Sequence, residues 1–92
     1  MATKVEKPTL FFVYMKGCGH CAEMKPLLRA FRDANPDIVV KSLDIETTDW
    51  KARNWQPDVT PTLIALKPSG KWAKIEGQLD EAEFYGWVAK HL

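Results

Sequence analysis

The chain carries only two cysteines and two histidines in 92 residues, no surplus of charge of one sign and no long apolar run, and each shortage closes off a class of function. Two cysteines cannot build the multi-bridge framework of a small secreted scaffold. Thirteen basic against twelve acidic residues leave a formal charge of +1, without a lysine or arginine cluster, so neither nucleic acid nor an anionic membrane is an expected partner. Nothing approaches the roughly 18 consecutive apolar residues of a membrane span. Residues 1–7 are polar and lack the apolar stretch of a signal peptide, which makes the cytoplasm the expected location. Internal repeats and low-complexity tracts are absent too, and prolines and glycines fall singly at element boundaries. A hydrophobic content of 46% suffices for one small core, so we expect a short extension over 1–7 and a single domain over 8–92.

What is present is concentrated in Cys18-Gly19-His20-Cys21, directly after the apolar run Leu10-Phe11-Phe12-Val13-Tyr14-Met15. If a helix starts near Gly19, Cys18 meets its unpaired first-turn amides and the positive end of its dipole, which favour a thiolate. A free thiol with a pKa of about 8.5 is only roughly 3% ionised at neutral pH, and a helix-start position raises that fraction. Cys21, one turn on, is near enough to resolve a mixed disulfide formed at Cys18, and His20 adds a titratable donor beside the pair. Two other readings of the spacing carry less weight. Zinc needs four ligands, and His20 and His91 are the only histidines; a purely structural bridge would close too small a loop to constrain the unfolded chain.

The surrounding elements follow from periodicity. Residues 9–15 read as a strand buried on both faces, central in its sheet. Met24, Leu27, Leu28 and Phe31 recur at helical spacing, so an amphipathic helix runs from near Gly19 to Asn35-Pro36, with a kink expected at Pro26; the alternative is a helix starting only at Pro26. Residues 38–45 read as a strand and 47–56 as a short helix capped by Thr47 or Thr48 and stopped by Pro57. Within it Trp50 and Trp55 form no clean stripe, and either suits a core. Strands over 62–67 and 71–76 flank Pro68-Ser69-Gly70 as an antiparallel hairpin. Asp80 and Glu83 stand at capping-box spacing, with Leu79 and Phe84 as a hydrophobic staple, before a last helix that faces inward through Phe84, Trp87 and Val88. The order is β-α-β-α-β-β-α.

That order, the C-x-x-C between first strand and first helix, Pro26 five residues after Cys21, and Val59-Thr60-Pro61-Thr62 before the hairpin together resemble the thioredoxin superfamily over about residues 8–92. The Cys-Gly-His-Cys form is similar to protein disulfide isomerase domains, since ordinary thioredoxins carry proline where His20 stands. The resemblance implies an α/β, minimal thioredoxin-like fold: a four-stranded mixed sheet with helices on both faces, lacking the first strand and helix of full thioredoxins. It further implies a cis bond before Pro61, catalysis by Cys18 and Cys21 with Gly19 and His20 between them, and substrate contact by Gly17, Thr60, Pro61 and Gly77. Two departures bear on mechanism. Gly17 occupies the position before the first cysteine where thioredoxins usually have tryptophan, and Phe12 occupies that of a buried aspartate. The proton for Cys21 is then expected from water or an exposed acid, with Glu23 the first candidate and an ordinary solvated role its alternative.

The function implied is reduction of protein disulfides by a monomer, through a Cys18/Cys21 dithiol-disulfide cycle that uses no metal or tightly bound cofactor. Electrons are expected from a thioredoxin-reductase-type donor, and ribonucleotide reductase is among the substrates the resemblance implies. Two alternatives stay open: a glutathione-dependent glutaredoxin, whose Gly-Gly and acidic residue are matched only in part by Gly77-Gln78-Leu79-Asp80, and a redox-sensing binding module with regulatory cysteines. Asp80 already has a role as helix cap.

Overall fold

The computed structural model describes residues 5–50 and 55–92. Four strands, β1 (Thr9–Tyr14), β2 (Val39–Asp44), β3 (Thr62–Leu66) and β4 (Trp72–Glu76), and two helices, α1 (Gly19–Ala34) and α2 (Glu81–His91), follow in the order β1-α1-β2-β3-β4-α2. They form one mixed sheet ordered β2-β1-β3-β4, in which β1 pairs parallel with β2 and antiparallel with β3, and β3 pairs antiparallel with β4. The near-continuous apolar run of β1 is explained by this central place. Leu10 and Phe12 point to one core, while Phe11 and Val13 point to the other.

The first core is built by both helices. α1 buries Cys21, Met24, Leu28 and Phe31, a helical stripe, and α2 buries Phe84 and Val88. Phe31 and Phe84 meet edge to face at 5.6 Å. Pro26 lies inside α1, which begins at Gly19 rather than at the proline. At the start of α2 the capping box is complete: Asp80 accepts from the Glu83 amide at 2.8 Å, and Glu83 accepts from the Asp80 amide at 3.1 Å.

The opposite face differs from expectation. Both described helices pack on the Leu10–Phe12 side, so helices do not cover both faces among the described residues. The second core of Phe11, Val13, Ile64 and Leu66 is covered instead by Trp55, with Trp50, Leu43, Ile45 and Val5 packed against it. Within the helix expected over 47–56, the ends are turn and irregular chain, and residues 51–54 lie outside the described residues. Side-chain bonding explains the local departure: the Asp44 carboxylate accepts from the Glu46 amide at 2.9 Å, the Thr48 hydroxyl donates to the Asp44 carbonyl, and the Trp50 indole N–H donates to the Ile45 carbonyl. The Thr48 amide adds one helix-type bond to the same Asp44 carbonyl at 3.0 Å, a single turn, while the side-chain bonds satisfy neighbouring backbone groups without further helix. Both tryptophans serve the core, Trp55 at 5.2 Å from Phe11 and 6.2 Å from Trp50.

The hairpin follows its sequence signature. Gly70 donates to the Lys67 carbonyl across Pro68-Ser69 and takes a φ of +91°, a left-handed conformation that glycine enters without steric cost. None of the described helices is long and apolar enough to cross a membrane.

Candidate active site

Beyond the C-terminal end of β1 the chain makes a tight turn, closed by a bond from the Cys18 amide to the Met15 carbonyl at 3.1 Å. Gly17 sits in it at φ +80°, a region open to glycine, and this turn delivers Cys18 to the N-cap of α1. The Cys18 Sγ accepts a hydrogen bond from the Cys21 amide at 3.2 Å, in the role a capping serine or aspartate oxygen usually takes. No acidic residue stands in the first turn of α1 to offset the positive end of the dipole. When the pair is reduced, the Cys18 sulfur is therefore the one placed to carry negative charge.

Cys18 and Cys21 are disulfide-bonded, with 5.2 Å between their Cα atoms. Their surroundings differ. Cys21 is 2% exposed and packs in the core with Phe12, while Cys18 stays half-buried at its edge. Phe12 thus fills the space beside the sheet with an apolar ring and offers no proton acceptor. Gly19 opens the helix, and a Cβ added there would meet nothing within 4 Å, so packing does not require glycine at that position.

Two distant segments come to this helix start. The Thr60–Pro61 peptide bond is cis, and the Thr60 hydroxyl donates to the Cys18 sulfur at 3.5 Å. Pro61 is fully buried, and its carbonyl accepts from the Gly77 amide at 2.8 Å, which brings the loop before α2 to the same place. Gly77 has φ +101°. Gly17 and Thr60 accordingly adjoin Cys18, and Pro61 and Gly77 join this arrangement through Thr60 and their own backbone bond. The Thr60 side-chain contact goes beyond the backbone role expected for that residue.

His20 and Glu23 are both exposed, with His20 Nδ1 3.4 Å from Glu23 Oε2. The same Glu23 oxygen accepts from the amide of Gln78 at 2.5 Å. Gln78 was missed by sequence reasoning, because a contact spanning 55 positions between two polar surface residues has no local signature. Glu23 therefore joins the C-x-x-C helix to the Gly77 loop instead of standing free in solvent. Among the described residues no group of three or more His, Cys, Asp or Glu side chains is placed to hold a metal ion.

The comparisons with known proteins agree with this geometry. The thioredoxin family model matches residues 2–90. The chain is 32% identical over 77 residues to the thioredoxin of Mycobacterium bovis, covering 83% of this chain and 66% of that protein. It is 25% identical over 91 residues to the protein disulfide-isomerase of Datisca glomerata, covering 96% of this chain and 18% of that protein. It thus spans just under two thirds of the one relative and under a fifth of the other. Among solved structures, the thioredoxin of Fasciola hepatica shares the fold with a TM-score of 0.79 at 18% identity, over 94% of this chain and 82% of that one. A family match that takes in every described strand, the disulfide at the start of α1 and the loop that meets it shows that the chain belongs to the thioredoxin family.

Proposed function

We propose that this chain is a thiol-disulfide oxidoreductase that reduces protein disulfides. The observation carrying the proposal is the inequality of the two sulfurs: Cys18 caps α1 at the surface beside Thr60, and Cys21 lies buried behind it. In the reduced protein the Cys18 thiolate attacks one sulfur of the substrate, forming a Cys18–substrate bond as the substrate's own S–S bond breaks and its other sulfur leaves as a thiolate. Cys21 gives up its proton and attacks Cys18, which expels the second substrate thiolate and closes the Cys18–Cys21 bond. Two electrons pass from the dithiol to the substrate, whose two sulfurs end as thiols. Around this exchange, the Thr60 backbone next to cis-Pro61 offers an edge for an extended substrate, flanked by Gly17 and Gly77.

A protein electron donor of the thioredoxin-reductase type suits the site better than glutathione. Binding glutathione calls for donors that converge on both of its carboxylates, and Lys16 and Lys25 line one flank of the cysteines only. In the Gly77-Gln78-Leu79-Asp80 segment, Gln78 is engaged by Glu23 and Asp80 by the cap of α2. The test is catalytic reduction of insulin with the protein recycled either by NADPH and thioredoxin reductase or by glutathione and glutathione reductase. Turnover with the first donor, abolished in Cys18→Ser, is expected. Turnover only with glutathione would move the chain to the glutaredoxin class, and stoichiometric reaction without turnover would make it a redox-sensing module. Ribonucleotide reductase is a natural substrate to assay in the same system.

A further inference from the structure

A depression of about 490 Å³ opens beside the disulfide, lined by Tyr14, Lys16, Gly17, Lys25 and both cysteines. It exists on this flank partly because Gly17 contributes no side chain, and a Cβ there would meet nothing within 4 Å. Its charge is one-sided. Lys16 and Lys25 both line it, whereas no carboxylate does among the described residues. The nearest acid in sequence to Lys25, Glu23, is turned instead to His20 and Gln78. Neither lysine has an ion-pair or hydrogen-bond partner among the described residues, although every acidic residue of the chain is described. Two uncompensated ammonium groups at the rim of a concave surface attract anions and orient them relative to the reacting sulfur.

We propose that this depression is a specificity subsite for a carboxylate carried next to the substrate's cysteine, so that the protein prefers disulfides flanked by Asp or Glu. The proposal rests on the disulfide-exchange reading above. An extended segment lying against the Thr60 edge with its cysteine at Cys18 brings its neighbouring side chains within reach of the Cys18 flanks, one of which is this depression. An acidic neighbour meets Lys16 and Lys25 there, and a basic one is repelled. Exposed charge pairs contribute modestly, so a preference of about three- to tenfold for Glu over Gln is expected at low salt, shrinking as ionic strength rises.

The test uses three disulfide-bonded peptides that differ only in the residue beside the cysteine, Glu, Gln or Lys, with glutathione disulfide as a fourth substrate. Two rates are read: kcat/KM with a recycling reductant, and the single-turnover rate at which reduced Cys21→Ser forms a mixed disulfide with each. The order Glu, Gln, Lys is expected in both, collapsing in 0.5 M salt, and the Lys16→Glu/Lys25→Glu double variant, its fold checked by circular dichroism, should invert it. Equal rates for the three peptides, or an order that survives the charge reversal, would overturn the subsite. A glutathione disulfide rate above that of the Glu peptide would assign the lysines to a small-molecule carboxylate and overturn the peptide preference. Absence of turnover with every peptide counts against the enzymatic reading, while the single-turnover order still decides the subsite by itself.

Discussion

The hydroxyl of Thr60 lies 3.5 Å from the sulfur of Cys18, across 42 positions of sequence. Together with the Cys21 amide at 3.2 Å it gives the Cys18 sulfur two donors, while Cys21 is enclosed by apolar side chains. Donors to a charged acceptor favour the charged form. Iodoacetamide should therefore alkylate Cys18 of the reduced protein ahead of Cys21 near neutral pH. Thr60→Val should slow that reaction about fivefold, the equivalent of losing a bond worth about 1 kcal/mol. First labelling at Cys21, read by peptide mass spectrometry, would contradict the assignment.

His20 sits in the motif at the exposed surface with its Nδ1 3.4 Å from Glu23, and in its protonated form it would place a positive charge next in sequence to Cys21, which favours a thiolate in the pair. Stabilising the reduced form makes the disulfide more oxidising. His20→Pro should lower the reduction potential measured in a glutathione redox buffer by some tens of millivolts, bounded by the roughly 90 mV that separates protein disulfide isomerase from thioredoxin. An unchanged or higher potential would remove His20 from this role.

Cys21 must exchange a proton during each cycle, and Phe12 cannot relay one. Glu23 is the acid closest in sequence, and its carboxylate is held by Gln78 beside His20. An exposed carboxylate can pass protons without a desolvation cost. Glu23→Gln should change the shape of the pH-rate profile for disulfide reduction. Superimposable profiles would leave bulk water as the relay.

Stability rests on the core between the two helices. Phe84 is 0% exposed and meets Phe31 edge to face at 5.6 Å, so truncating it removes a large buried side chain and leaves a cavity. Phe84→Ala should cost about 3–5 kcal/mol, read as a lower urea midpoint at an unchanged slope. A loss below about 1 kcal/mol would show that α2 contributes little to the fold.

Much of this architecture was legible in sequence because it depends on local patterns. A near-continuous apolar run located β1 and period-3.6 apolar spacing located α1, each to within a residue, while Pro68 and Gly70 marked the hairpin and Asp80 with Glu83 marked the start of α2. The cis bond at Thr60–Pro61 was not a local inference, since about 5–6% of X–Pro bonds are cis, and it came through family resemblance. The segment after β2 departs from the expected helix at residues 47–50, where the chain makes a single turn, the Thr48 amide and hydroxyl both bonding to the Asp44 carbonyl and the Trp50 indole to the Ile45 carbonyl. The Glu23–Gln78 bond and the lysine-lined depression were illegible for another reason. Each depends on surface residues brought together by the fold, and polar surface positions carry no periodicity that marks a partner.

The most direct test of Cys18 attack and Cys21 resolution is to incubate reduced Cys21→Ser and Cys18→Ser separately with a disulfide-bonded protein such as insulin, and to map the covalent products by mass spectrometry. The account predicts that Cys21→Ser accumulates a mixed disulfide through Cys18, because the resolving thiol is gone, and that Cys18→Ser forms little or none, because Cys21 is buried. Accumulation through Cys21 in Cys18→Ser, with no adduct in Cys21→Ser, would contradict it.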